Sequence, residues 1–203
     1  MLVTKGEQIV VVEGGGHAAV SATHVRSTVL CSSILALRAR GLFDRYFEAL
    51  EPPFRDEALS LPAGIWVPVD FALAHYDACQ HLDLDPYVID EIGAEVGDRI
   101  SKSLLSVIVT LSREVGVSPW SVLTRANKLR DVAWKGSALG VWRLGPKDAR
   151  VEWAGQPCAR SRYFGLAFGG FMRGLCQLFC RRAFVRLLPG GTATSLNYRV
   201  FWA

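Results

Sequence analysis

The side chains able to do chemistry are few in this sequence, and their spacing does not gather them. Four histidines occur, His17, His24, His75 and His81. Only His75 and His81 are neighbours, and at six residues apart a helix sets them on different faces. Neither HExxH nor a His-x-Glu with paired cysteines is present, so the sequence predicts no metal site. His75 alone could ligate a haem iron from a helix, although a single histidine beside Tyr76 is more often a core or helix-surface residue. The five cysteines, Cys31, Cys79, Cys158, Cys176 and Cys180, form no CxxC pair. Cys176 and Cys180 are four apart, on one face of the helix expected there. They could hold a soft ligand, accept an acyl chain, or fill the core as small hydrophobes. Asp90, Glu91, Glu95 and Asp98 cluster near a helix start, where carboxylates complement the dipole. Their spacing does not separate an acid–base pair from a solvated face. No GxSxG elbow occurs. Gly14-Gly15-Gly16 follows an apolar stretch, but no phosphate-loop or dinucleotide fingerprint is complete. No catalytic constellation emerges, no cofactor is specified, and the catalytic set is empty.

Bulk properties narrow the classes further. The chain of 203 residues suits one full-sized core, with half its residues apolar and a net charge of +4 from 23 basic and 19 acidic side chains. The basic groupings Arg38/Arg40, Arg125/Lys128/Arg130 and Arg181/Arg182 are dispersed, which argues against nucleic acid as a partner. Unpaired thiols suit a reducing compartment. Glu7 and Glu13 interrupt the N-terminus, where a signal peptide would need a long apolar core. The expectation is a cytoplasmic domain with no transmembrane segment.

The elements that must position any site follow from periodicity. Residues 1–21 read as an N-terminal arm, a short strand over Gln8–Val12 or a disordered lead, and residues 22–203 as a single α+β domain. Two helical stretches between Ala22 and Leu50 join near Arg40-Gly41. Glu51-Pro52-Pro53 ends this unit and a loop runs to Pro68. A helix follows over about Val69 to His81. After Asp85-Pro86, apolar residues recur at Ile89, Ile92, Val96, Ile100, Leu104, Ile108, Leu111 and Val115, the face of one long central helix. Ser118-Pro119 should cap a further helix to about Trp134. The C-terminal third alternates instead. A hairpin over Ala138–Leu144 and Ala149–Ala154, a helix from Ser161 to about Cys180, and a hairpin turning at Pro189-Gly190-Gly191 give β-β-α-β-β. The predicted fold is therefore α+β, with N-terminal helices, the long central helix and a C-terminal four-stranded antiparallel sheet covered by helices on one side.

The helix from Ser161 to Cys180 is the most unusual element. Its core is strongly apolar, yet it carries Arg173 and is too short for the ~20 residues of a membrane span. Gly165 and Gly169 are four apart, as are Gly170 and Gly174. Each glycine costs a helix up to ~1 kcal/mol relative to alanine, so four of them imply that something approaches closely. That partner is the sheet, another helix, or an elongated apolar ligand.

Two resemblances bear on this layout. Trp66-Val67-Pro68, Pro119-Trp120, Gly145-Pro146-Lys147-Asp148-Ala149 and the closing Tyr198 and Trp202 resemble an uncharacterised family of myxobacterial proteins of this length, from about Arg26 onward. That family carries no activity to transfer. More distantly, the layout is similar to the superfamily of haem–nitric-oxide-binding domains, 4-vinyl-reductase domains and TRAPP trafficking subunits. Its members share N-terminal helices, a long helix with Gly-x-x-x-Gly near its start, and a terminal antiparallel sheet with an inserted helix. Ile92-Gly93-Ala94-Glu95-Val96-Gly97 matches that glycine spacing. The haem members' Tyr-x-Ser-x-Arg pattern is missing, the nearest candidate being Tyr198-Arg199-Val200, and no histidine lies where a haem ligand is expected. The resemblance implies enclosure of a small or lipid-like molecule, or a dimeric assembly subunit, and disfavours haem.

The leading expectation is a non-enzymatic ligand-binding or sensory domain with an apolar pocket lined by Leu104, Ile108, Phe164, Phe168, Gly169, Phe171, Met172, Cys176 and Cys180. The first alternative is a homodimeric interaction or assembly module. The second is an enzyme using the thiols or the carboxylates.

Overall fold

Short polar contacts at the start of the first helix set its frame. The computed structural model of the chain describes residues 8–12, 19–103 and 118–203. Ser27, fully buried, donates its hydroxyl to the Pro62 carbonyl at 2.7 Å and accepts the Ile65 N–H at 3.0 Å. This pins α1 (Ser27–Ala39) to the chain that returns beside it. Leu30, Ile34 and Leu37 turn inward from α1. Gly41, at φ +66°, then takes the left-handed conformation that ends the helix. The expected helical start at Ala22 is corrected, because His24–Arg26 is a strand, β2. α2 (Phe43–Ala49) follows as expected.

The segment after α2 is a second correction. Pro52 and Pro53 do end that unit, yet they also open helix α3 (Pro52–Ser60) where a loop was expected. Proline suits a first helical turn because its missing N–H has no intrahelical partner to lose. Trp66–Pro68 forms β3 and Trp134–Lys135 forms β4, and both pair with β2 in a small antiparallel sheet of order β3-β2-β4. Strands of two or three residues are too short to show alternation, so none of the three was legible.

α4 (Val69–Gln80) and α5 (Pro86–Ser103) match the periodic segments. Ile89, Ile92, Val96 and Ile100 are all buried along one side of α5. The rest of the expected long helix, including Leu104 and Ile108, lies outside the described residues. The helix expected from Ser118 to Trp134 is instead two, α6 (Trp120–Leu123) and α7 (Ala126–Ala133). Thr124 turns its hydroxyl back on the Trp120 carbonyl at 2.6 Å, and Arg125 leaves the helical region at φ −119° and ψ 18°. Ser118 supplies its carbonyl to the Ser121 N–H, not a side-chain cap.

β5 (Ala138–Gly145), β6 (Asp148–Ala154), β7 (Ala183–Thr192) and β8 (Ser195–Trp202) make the expected C-terminal antiparallel sheet. β1 (Gln8–Val12) pairs on the outer side of β5, giving the order β1-β5-β6-β8-β7. Pro189-Gly190-Gly191 is not the turn. It falls in an irregularity of β7, between Leu188 and Thr192, and Gly190 has φ +91°. One face of the sheet is dry: Val141, Val151, Trp153, Leu196, Tyr198 and Val200 are all buried.

Across that face lies α8 (Arg162–Gln177), N-capped by Ser161, whose hydroxyl accepts the Phe164 N–H at 3.3 Å. Tyr198 donates to the Gly165 carbonyl at 2.8 Å and ties α8 to β8. On its other side α8 meets α5 backbone to backbone. A Cβ placed on Gly170 would lie 1.9 Å from the Asp90 carbonyl oxygen, and one on Gly93 1.9 Å from that of Ala167. Gly174 and Gly97 repeat the pattern one turn on, at 2.9 Å from Ala94 and Phe171 oxygens. Arg173 bridges the same seam to Asp90 and Glu91 at 2.7 and 2.5 Å. Among the described residues no helix is long and apolar enough to cross a membrane.

One buried amide joins the helical layer to the sheet. Asn127 of α7 donates to the Leu139 carbonyl at 2.8 Å and accepts the Leu139 N–H at 2.9 Å. Asn127→Ala should therefore cost about 2 kcal/mol, by stranding two buried backbone groups. Urea denaturation of the two chains measures it, and a loss within experimental error would show that this tie does not hold α7.

Candidate functional site

α8 leans on the sheet through Gly165 and Gly169 and on α5 through Gly170 and Gly174, so its large side chains are left to point elsewhere. They point into a cavity of about 320 Å³ between α1, α5, α7, α8 and the inner face of β5 and β6. Phe164, Phe168, Phe171, Met172 and Leu175 form the α8 wall. Ile92, Val96 and Ile100 face it from α5, Leu129 and Ala133 from α7, and Leu139, Val151 and Trp153 from the sheet. The aromatic wall is continuous, with Trp153 and Phe168 ring centres 4.3 Å apart and Phe168 stacked on Phe171 at 5.7 Å.

Of the residues singled out from sequence, Phe164, Phe168, Phe171 and Met172 lie on this wall. Gly169 faces the other way, toward Tyr198 and Val185. Cys176 is in the core but off the wall, and Cys180 stands beyond the end of α8. The two thiols therefore do not share a helical face as expected. Cys180 contacts the Cys176 and Arg182 carbonyls, because α8 ends at Gln177. Leu104 and Ile108 lie outside the described residues. Val29, Leu139 and Trp153 were missed as lining residues, since periodicity marks a buried face without saying whether anything fills the space before it.

The groups with possible chemistry are otherwise engaged. His75 is fully buried, with Nδ1 2.9 Å from the Tyr46 hydroxyl and Nε2 3.0 Å from the Ser33 hydroxyl. Burial pushes its imidazole down to about 3, so it is neutral at any physiological pH. Ser33 also lines the cavity and His75 does not, which places the ring one residue behind the wall. Burial raises all five thiols, Cys176 to about 12. A thiol nucleophile needs the opposite shift. Three carboxylates of α5 are held by arginines: Asp90 and Glu91 by Arg173, and Glu95 by Arg40 and Arg99. Burial pushes the Glu95 carboxyl up, but the hydrogen bonds from Arg99 and Arg40 outweigh it and leave it below the usual range. Among the described residues no group of three or more His, Cys, Asp or Glu side chains could hold a metal ion.

An antiparallel sheet of this order, with one helix laid on its dry face and a second helix locked across the first, defines an α+β fold with its cavity between the helices and the sheet. No family model and no curated protein matches the sequence. Among solved structures the fold is that of H-NOX domains. The unliganded Fe(II) H-NOX protein from K. algicida has a TM-score of 0.60 at 11% identity, over 88% of this chain and 96% of that one. An H-NOX family structure used to probe haem distortion has a TM-score of 0.60 at 13% identity, over 87% and 94%. A Cs H-NOX mutant with 4-cyano-L-phenylalanine at site 5 has a TM-score of 0.59 at 14% identity, over 87% and 96%. The likeness is one of fold.

Proposed function

We propose that this chain is a non-enzymatic, ligand-binding sensory domain that takes a small apolar organic molecule into the cavity beneath α8. The observation that carries the reading is the wall itself, an aromatic and aliphatic lining drawn from α1, α5, α7, α8 and the sheet. At about 320 Å³ it stands at the lower end of the ~300–1,000 Å³ typical of small-molecule sites. The fold supports the same reading, because the neighbours that share it include haem proteins. Burial sets the shifts of His75 and the thiols, and none of these produces a reactive thiolate or a poised base.

Haem does not fit these residues. A protein holds haem iron through histidine, cysteine, methionine or tyrosine. Among the described lining residues there is no histidine and no cysteine. Tyr76 is on the wall, but burial raises its phenol well above the ordinary value and keeps it protonated. Met172 is the remaining candidate and offers only a weak thioether. Outside the described set, residues 104–117 contain none of the four residue types, whereas 1–7 and 13–18 contain Met1 and His17.

Native mass spectrometry of the purified chain, set against its denatured mass and an organic extract, tests the reading. A ligand of a few hundred daltons, released on denaturation, is the expected result. A bare polypeptide mass, together with no thermal shift from any member of a panel of apolar compounds, would overturn it.

A further inference from the structure

We infer that the molecule taken into this cavity is uncharged and carries a carbonyl-type oxygen, which accepts a hydrogen bond from the Tyr76 hydroxyl while its apolar body lies against the α8 wall. The inference rests on the ligand-binding reading above and specifies its chemical class.

Most polar side chains on the wall are already engaged. Arg130 is paired with Asp131 at 2.9 Å and donates to the Gly136 and Ser137 carbonyls at 3.0 and 2.7 Å. Arg26 donates to the Gly64 carbonyl at 3.0 Å and stacks on the Trp66 ring. The Ser33 hydroxyl is taken by His75 at 3.0 Å, and the Trp153 indole N–H by the Ser137 hydroxyl at 2.9 Å. Thr28 is half-buried in the first turn of α1, where water reaches it.

Tyr76 and Trp134 are different. Tyr76 is 6% exposed, its ring edge-to-face with those of His75 and Phe164 at 4.9 and 4.7 Å. Its hydroxyl bonds to no described residue, yet it is not one of the polar atoms that the fold seals off without a partner. It therefore keeps accessible surface, and the cavity is the space that Tyr76 lines. The indole N–H of Trp134, whose ring also packs on Phe164, is in the same condition. Both groups donate, and the indole does nothing else. Burial raises the Tyr76 phenol and so keeps its proton in place. A buried water usually has about three polar partners, more than this largely hydrocarbon wall has to spare. A carbonyl oxygen supplies the missing acceptor and brings its own apolar body. A carboxylate would supply it too, but it would leave water with both wall arginines already compensated.

Isothermal titration of the full chain and of Tyr76→Phe with 2-acetonaphthone, 2-isopropenylnaphthalene and 2-naphthoate tests this. The three share a ring system and carry a ketone, its isosteric alkene and an anion. Tyr76→Phe should weaken the ketone about fivefold, the scale of one neutral hydrogen bond, and leave the alkene unchanged. The anion should bind the parent chain at least about tenfold more weakly than the ketone. In the infrared, the ketone's carbonyl stretch should fall on binding to the parent chain and not on binding to the variant. Tyr76→Phe itself should melt within about 2 °C of the parent, because no hydrogen bond within the protein is lost. A larger melting loss would overturn the inference by showing the hydroxyl paired inside the fold. A Tyr76→Phe effect that is absent or equal for ketone and alkene, or an anion that binds as tightly as the ketone, would overturn it and leave the apolar cavity standing. If none of the three binds, the cavity reading itself falls with it.

Discussion

Gly170→Ala should unfold about 6–12 °C below the parent chain, a loss of about 3 kcal/mol. The alanine methyl would be placed 1.9 Å from the Asp90 carbonyl oxygen, which is backbone and cannot swing aside as a side-chain tip can. Relief requires α5 and α8 to separate, and their seam runs through four glycines and the Arg173 ion pairs. Overpacking ordinarily costs about 1–3 kcal/mol, and a rigid backbone contact belongs at the upper end. Helix propensity returns at most about 1 kcal/mol of it. Gly169→Ala is the matched control on the same helix. Its methyl would meet Tyr198 and Val185 at 3.6 and 3.8 Å, ordinary contact distances, so propensity should prevail and stability hold or rise. Circular dichroism melts of the three chains decide the matter. Equal melting of Gly170→Ala and Gly169→Ala would mean that α5 and α8 do not meet backbone to backbone.

The second large effect belongs to His75. Its ring is buried among Tyr46, Ser33, Tyr76 and Cys79, with both nitrogens in hydrogen bonds. His75→Ala should cost about 4 kcal/mol, combining the lost volume with two buried hydroxyls left without a partner. The same burial makes stability depend on pH. The unfolded chain binds a proton at this site near pH 6.5 and the folded chain only near 3, so burial depresses the folded value. The unfolded state thus binds more protons below pH 6.5. Stability is full above that point and falls as the pH drops toward 3. Between pH 7 and 5 the loss from this one group is about 2 kcal/mol. Tyr46, Tyr76 and Cys79 are all pushed upward by burial and stay neutral throughout that window. In His75→Gln, which keeps hydrogen-bonding groups but does not titrate, the dependence should vanish. Urea denaturation of both chains at pH 5, 6 and 7 measures it, and the histidines common to both cancel. Parallel losses in the two chains would show that the ring is hydrated or already charged in the native state.

Wherever local order decides the outcome, sequence was sufficient. The spacing of Ile89, Ile92, Val96 and Ile100 determined a helix and its buried side. The alternation of Val151 and Trp153, and of Leu196, Tyr198 and Val200, determined strands and their dry face. Gly-x-x-x-Gly spacing at Gly165 and Gly169, and at Gly170 and Gly174, announced close approach because glycine is costly in a helix without one. What approaches each pair was decided by tertiary structure: Gly170 and Gly174 meet α5, while Gly165 and Gly169, one residue round the helix, meet the sheet. Three short strands, a helix opened by two prolines and a helix broken at Thr124 escaped prediction, because each depends on a partner distant in sequence or on one side-chain hydrogen bond. The cavity was beyond sequence for a related reason. Apolar patterning states that Phe168, Ile92 and Leu139 leave water, whereas whether their surfaces touch or stand apart depends on backbone spacing. Here that spacing is set by glycines on the opposite faces of α8.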